Sequence, residues 1–264
     1  MKMIQHVLMA AVALAAVPAF ASADAERRGD EIARTMETRD KEFGDYRMGM
    51  EMLLRDKQGA SSARRMQGAV LEVPDDGDKS VITFLAPADI RGATFLTFAH
   101  VSKPDDQWLY MPAIKRTKRI ASENRMGSFM GSEFSFEDMA GQEYGKYSYK
   151  YLGDETVENR TSYKLERKPK YEGSGYTRNI VWVDSERYAP LRVEFYDRKN
   201  SLLKTLSYSG YQQYRNKYWR ADKMEMRNLQ NGKSTEIKFS NYQFQTKLSA
   251  ADFDPQRLGG VPQP

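Results

Sequence analysis

Cysteine is absent from the 264 residues, and histidine occurs only twice. Without cysteine there are no disulfides, thiol nucleophiles or thiolate metal sites. His6 falls in a segment read below as removed on export, which leaves His100 as the one histidine available for chemistry. That is too little for a zinc site or a Ser-His-Asp triad, and no Gly-x-Ser-x-Gly elbow occurs. Asp75-Asp76 and Glu137-Asp138 are adjacent carboxylates. Adjacency on a strand sends the two side chains to opposite faces, which suits turns or caps better than paired acid/base work. The inventory therefore argues against an enzyme, a cofactor and a bound metal.

A long apolar run is also missing after the first two dozen residues. At the start, Lys2 precedes the stretch Val7–Val17, and Ala21-Ser22-Ala23 gives a small-x-small cleavage pattern. This is the layout of a secretory signal peptide over residues 1–23, with an apolar run shorter than the ~20 residues of a bilayer span. The expectation is an exported chain that is soluble in the periplasm after cleavage near Ala23. Cleavage leaves 40 basic against 36 acidic residues. So small a surplus, in an exported chain, points away from nucleic acid and toward an anionic membrane surface or an acidic protein face.

The remainder is 40% apolar and 12% aromatic over the whole chain, enough for a core. Ile32, Ala33 and Met36 form one stripe and predict a helix over 24–41. After that the period changes to two. In Phe43–Asp56, Tyr46, Met48, Met50, Met52 and Leu54 alternate with polar or small residues. Further strands are expected at 64–73, 79–86, 93–101, 107–112, 144–152, 161–168, 177–184, 190–197, 202–212, 217–229 and 233–244, the last two flanking Asn231-Gly232. No linker or repeat divides residues 24–264. The pattern predicts one mainly β domain, an antiparallel meander of about eleven strands curled toward a barrel. Residues 121–142 break the rhythm, with exposed-looking Phe129, Met130, Phe134 and Phe136 among glycines and serines. Long loops of this kind are functional or packed over something.

A family pattern lies in the centre. Phe84-Leu85-Ala86-Pro87-Ala88-Asp89-Ile90-Arg91-Gly92 runs on to Trp108-Leu109-Tyr110-Met111-Pro112, then Gly127-Ser128-Phe129-Met130-Gly131-Ser132-Glu133-Phe134. This block resembles the outer-membrane lipoprotein-sorting protein family, the LolA-like exported proteins often linked with RND-type exporters. Leu248-Ser249-Ala250-Ala251-Asp252-Phe253 is similar to the family's closing segment. Glu133 stands where the family's Gly-Ser-Asp-Phe would place an aspartate. The resemblance implies a strongly curved antiparallel half-barrel, covered by helices, that binds lipid or acyl chains. It also implies a lipid or lipoprotein cargo and an RND-type exporter as partner, with an accessory module that docks to the exporter without carrying cargo as the alternative.

Three groups of candidate residues follow. Met48, Met50, Met52, Leu54, Phe84, Phe95, Trp108 and Tyr110 are expected to line the cargo cavity, where methionine adapts to chains of varying shape; the same residues also suit an ordinary core. Phe129, Met130, Phe134 and Phe136 are expected to form a lid, or else a loop stapled to the core. Lys115, Arg116, Lys118 and Arg119 are a docking surface for membrane or partner, or a solvated strand end guarded against edge pairing.

Overall fold

The computed structural model describes residues 19–259. The signal-peptide reading up to residue 18 lies outside the described residues. Among the described residues no helix is long and apolar enough to cross a membrane. One helix, α1 (Ala19–Asp40), opens the described chain, close to the expected 24–41.

Thirteen strands then form one sheet. They are β1 (Asp45–Arg55), β2 (Ser61–Leu71), β3 (Lys79–Ala86), β4 (Thr94–Phe98), β5 (Asp106–Met111), β6 (Arg116–Arg119), β7 (Tyr147–Val157), β8 (Arg160–Pro169), β9 (Tyr176–Asp184), β10 (Pro190–Asp197), β11 (Leu202–Tyr214), β12 (Tyr218–Asn228) and β13 (Ser234–Phe244). Twelve of them sit where alternation places them. The thirteenth, β6, is four exposed residues, three of them basic, and carries no alternating pattern for a sequence reading to detect.

The strand order is β6-β5-β4-β3-β2-β1-β13-β12-β11-β10-β9-β8-β7, and every pairing is antiparallel. The chain thus walks out from the middle to one edge, crosses to the other edge, and walks back until β13 pairs with β1. β6 and β7 do not pair, so the sheet stays an open half-barrel. Bulges bend it: the register slips between Arg47 and Gly49 and between Tyr151 and Gly153. Gly153 has φ +131°, a conformation that a side chain would strain. Turn chemistry keeps neighbours in order. Asn159 follows Glu158 at positive φ in the two-residue β7–β8 turn.

Two layers complete the molecule. On the concave face, α1 lies against the edge strand β7. Gly29 permits the approach, because a Cβ there would stand 2.8 Å from the Tyr151 backbone nitrogen. Ile32 and Ala33 are buried by this docking. On the convex face the closing segment packs Phe253 and Leu258 against Leu96. Its turn, Ala250–Phe253, is held by reciprocal bonds between Ser249 and Asp252.

Candidate functional site

The segment that links β6 to β7, residues 120–146, does not hang over the opening. It folds into the concavity and fills one half of it. Phe129 and Phe134 are 0% and 1% exposed, which corrects the exposed reading of these rings. The Phe129 ring centre lies 5.0 Å from that of Phe95 and 6.0 Å from that of Phe84. Phe136 joins the same group, and Met130 packs half-buried on the core beside them. Met50, Met52, Leu54, Met66, Met226 and Ile237 close the cluster from the sheet.

Polar bonds hold this plug at several points. Asp138 accepts from Lys204 Nζ at 2.5 Å and from the Tyr176 hydroxyl at 2.7 Å. Lys204 also donates to the Glu133 carbonyl at 2.9 Å. Glu137 accepts from Tyr171, Ser174 and the Gly175 N–H, at 2.7, 2.5 and 2.8 Å. Glu133 accepts from Asn228 of β12 at 2.8 Å. Arg64 of β2 donates to the Met130 carbonyl. At the far end Lys146 is buried between Asp105 and Glu143, at 2.6 and 2.5 Å. Burial pushes the Lys146 ammonium down, but the two carboxylates outweigh it and hold it above its ordinary value.

The other half of the concavity is open. It contains a cavity of about 1470 Å³, above the ~300–1,000 Å³ of a usual small-ligand pocket. Its wall comes mainly from the second arm of the sheet: Leu165 of β8, Val181 of β9, Val193 and Phe195 of β10, Leu206 and Tyr208 of β11, and Met224 of β12. Tyr46 and Met48 of β1, Phe239 of β13, and Ala33 and Met36 of α1 complete it. The residues pair across strands in register, Leu165 with Val181, Val181 with Val193 and Val193 with Leu206, so the floor is one continuous row.

The rim is charged. Arg220 pairs with Asp40 and lies over the rings of Phe43, Tyr46, Tyr218 and Phe244. Lys217 faces Glu42 at 2.7 Å, and Lys41 faces Glu37 at 3.7 Å. Asp78 is pushed up to about 7, chiefly by burial, with Glu143, Glu72 and Asp40 adding to the effect. Arg167, on the inward face of β8, is different. Its Nε donates to the Asn179 side chain at 3.1 Å, and among the described residues no carboxylate lies within ion-pair distance of it.

The expected site residues therefore divide. Met48 lines the open cavity; Met50, Met52, Leu54, Phe84 and Phe95 lie on the same concave face beneath the plug. Trp108 and Tyr110 are corrected to the convex face. They pair with Leu96 and Thr94, and pack under the closing segment with Phe253 and Leu258. Their strand alternates as expected, but its inward residues are Leu109 and Met111. Lys115, Arg116, Lys118 and Arg119 are all exposed on the β5–β6 hairpin and its edge strand. Arg119 is tied to Asp106, while Ile114 at the hairpin tip is 64% exposed. The second-arm wall was missed altogether. Its signal was present as Tyr163, Leu165 and Arg167 at alternate positions, an inward-facing row that ends in a cation.

His100 acts as a pin between three aspartates. Its Nδ1 is 2.7 Å from Asp76 and its Nε2 3.2 Å from Asp106, and Asp105 accepts its backbone N–H at 2.9 Å. The described residues contain no cluster of three or more potential metal ligands.

A family model described only as an uncharacterized protein matches residues 76–259. Three solved structures share the fold over most of their length. An outer membrane lipoprotein-sorting protein domain from Vibrio parahaemolyticus is 47% identical, with TM-score 0.87 over 89% of this chain and 99% of that one. A DUF1329 family protein from Desulfovibrio piger is 28% identical, with TM-score 0.84 over 89% of this chain and 99% of that one. A LolA superfamily protein from Nitrosomonas europaea, 20% identical, matches with TM-score 0.68 over 86% of this chain and 97% of that one. No curated protein matches this sequence.

Proposed function

The chain belongs to the outer-membrane lipoprotein-sorting protein family, with a LolA-like half-barrel, and from that premise we propose that it is a periplasmic carrier of an apolar cargo. The observation that carries this reading is the open, apolar cavity of about 1470 Å³ on the concave face. Burying a methylene from water contributes about 0.8 kcal/mol, so an acyl chain laid along the Leu165–Leu206 row is held without any reacting group. Methionines at Met36, Met48 and Met224 give the wall the adaptability that chains of different shape require. The cargo is a lipid, a free acyl chain or the acylated end of a lipoprotein, and the exchange partner is a membrane protein of the RND-exporter type.

Cargo uptake is measured with a fluorescent long-chain fatty-acid analogue added to delipidated protein. Met48→Glu places a charge on the cavity wall and is expected to weaken uptake at least tenfold, while the far-ultraviolet dichroism stays that of the wild type. Uptake unchanged in a folded Met48→Glu protein places the cargo elsewhere.

One surface favours a second reading, an accessory module that docks without carrying. The β5–β6 hairpin presents exposed Ile114 beside Lys115, Arg116 and Lys118, none of which is ion-paired among the described residues. An apolar tip ringed by cations suits an anionic membrane surface or the acidic face of an exporter. The two readings combine if the hairpin docks and the cavity delivers. They separate if the hairpin variants lose docking while the cavity never takes up lipid.

A further inference from the structure

The cations at the cavity rim have partners. Arg220 faces Asp40, Lys217 faces Glu42 and Lys41 faces Glu37, while Arg39 is exposed and donates to the Glu186 carbonyl. Arg167 lies deeper. It is half-buried on the inward face of β8, two residues beyond Leu165 on the apolar floor. One edge of its guanidinium is fixed by the Asn179 side chain, and its plane lies 4.7 Å from the Tyr147 ring centre. These contacts orient the group but leave its terminal nitrogens without a protein acceptor among the described residues.

Two phenols converge on the same part of the cavity. Tyr149 is the cross-strand partner of Arg167, and Tyr208 enters from β11; both line the cavity. Neither hydroxyl has a hydrogen-bond partner among the described residues, in contrast to Tyr147, Tyr171 and Tyr176 close by. Burial raises the Tyr208 hydroxyl to about 12, with the Arg167 charge pulling the other way, and Tyr149 is raised by the same cause. Both phenols thus stay protonated and act as donors. A guanidinium fork and two hydroxyls at one end of an aliphatic row make a small group of donors in an apolar wall, which fixes a ligand's orientation and sign.

We propose that Arg167, Tyr149 and Tyr208 form a headgroup site for a long-chain carboxylate, whose acyl chain lies along the Leu165–Val181–Val193–Leu206 row. The proposal rests on the carrier reading and narrows its cargo to single-anion amphiphiles. A planar carboxylate has two oxygens and about four acceptor positions, enough for the fork and both hydroxyls at once. The carboxylates near the cavity do not compete for Arg167: Asp138 is taken by Lys204, Glu143 by Lys146 and Glu37 by Lys41.

The test is equilibrium binding of palmitate and of hexadecanol to delipidated full-length mature protein, with sodium acetate as a chainless control. Wild type is expected to bind palmitate at least tenfold more tightly than hexadecanol, with acetate neither binding nor displacing either one. Arg167→Met keeps the apolar stem and removes the charge; it is expected to lose at least tenfold for palmitate and to leave hexadecanol unchanged. The double variant Tyr149→Phe/Tyr208→Phe gives a second route, with a three- to tenfold loss confined to palmitate. Equal binding of palmitate and hexadecanol by wild type overturns the headgroup site and leaves the carrier reading standing. So does palmitate affinity unaffected in either folded variant. Failure of wild type to bind either ligand removes the carrier reading as well.

Discussion

The two halves of the concave face share several strands, yet one is filled and the other holds a cavity. On β1, Met52 is fully buried under Phe129 and its neighbours, whereas Met48, four residues earlier on the same face, lines the cavity. On β11, Lys204 is locked to Asp138, whereas Tyr208 faces open space. On β12, Met226 is buried and Met224 borders the cavity. Residue type does not separate the halves, since methionine occurs in both. What separates them is residues 120–146, which cross from one edge of the sheet to the other and pack onto only part of its inner face. A half-barrel that must fold and also keep a cavity does both by dividing its inner face: one part is packed as a core, and the other is left open.

Variants in the filled half are expected to act on stability, those in the open half on ligand uptake. The largest effect falls on the plug. Phe129→Ala leaves a cavity under Phe84 and Phe95 and is expected to destabilise by about 3–5 kcal/mol, read from urea unfolding midpoints. Gly29→Ala comes next: its Cβ meets the β7 backbone, and about 1–3 kcal/mol of stability is expected to be lost as α1 is pushed off the edge strand. Thermal unfolding and exchange of the α1 amides report both parts of that effect.

Asp78 sharpens the contrast through pH. Its carboxyl is raised to about 7 in the folded chain from an ordinary value near 3.8. The folded state therefore holds the proton more tightly, and this contribution is complete below about 3.8 and lost as pH rises through about 7. Asp78→Asn is expected to match wild type at pH 4 and to be the more stable of the two at pH 8. A variant no more stable at pH 8 shows that the rim is wetter than its burial implies.

The smallest stability effect belongs to the β5–β6 hairpin. Arg116→Glu with Lys118→Glu is expected to leave the unfolding midpoint within about 0.5 kcal/mol of wild type, because both side chains are exposed and unpaired among the described residues. Binding to vesicles containing anionic lipid, measured by co-sedimentation, is expected to fall by about 1 kcal/mol or more for each charge. Unchanged sedimentation leaves the cluster as protection for an edge strand.

Much of this division was legible residue by residue, but only up to a point. Alternation placed twelve strands and put Met48, Met50, Met52 and Leu54 on one face, because a half-buried strand must alternate. It could not say which end of that face is filled, since the filling comes from residues far along the chain. The same limit explains the lid. Phe129 and Phe134 lie among glycines and serines that read as an exposed loop, and their segment is seated by distant contacts, such as those of the adjacent Glu133 with Thr235 and Asn228 about a hundred residues away. Trp108 and Tyr110 show a further ambiguity: alternation separates two faces without naming the inner one, and here the outer face is also covered, by Phe253 and Leu258. Arg167 was visible as a charge in an apolar row, but its isolation from any carboxylate appears only in three dimensions.

The most direct measurement is native mass spectrometry of the protein purified from its native host, followed by lipid extraction. Carriage predicts a one-to-one adduct of amphiphile mass, lost on delipidation and regained when the same lipid is supplied. A bare protein mass that stays bare when lipids are supplied contradicts it.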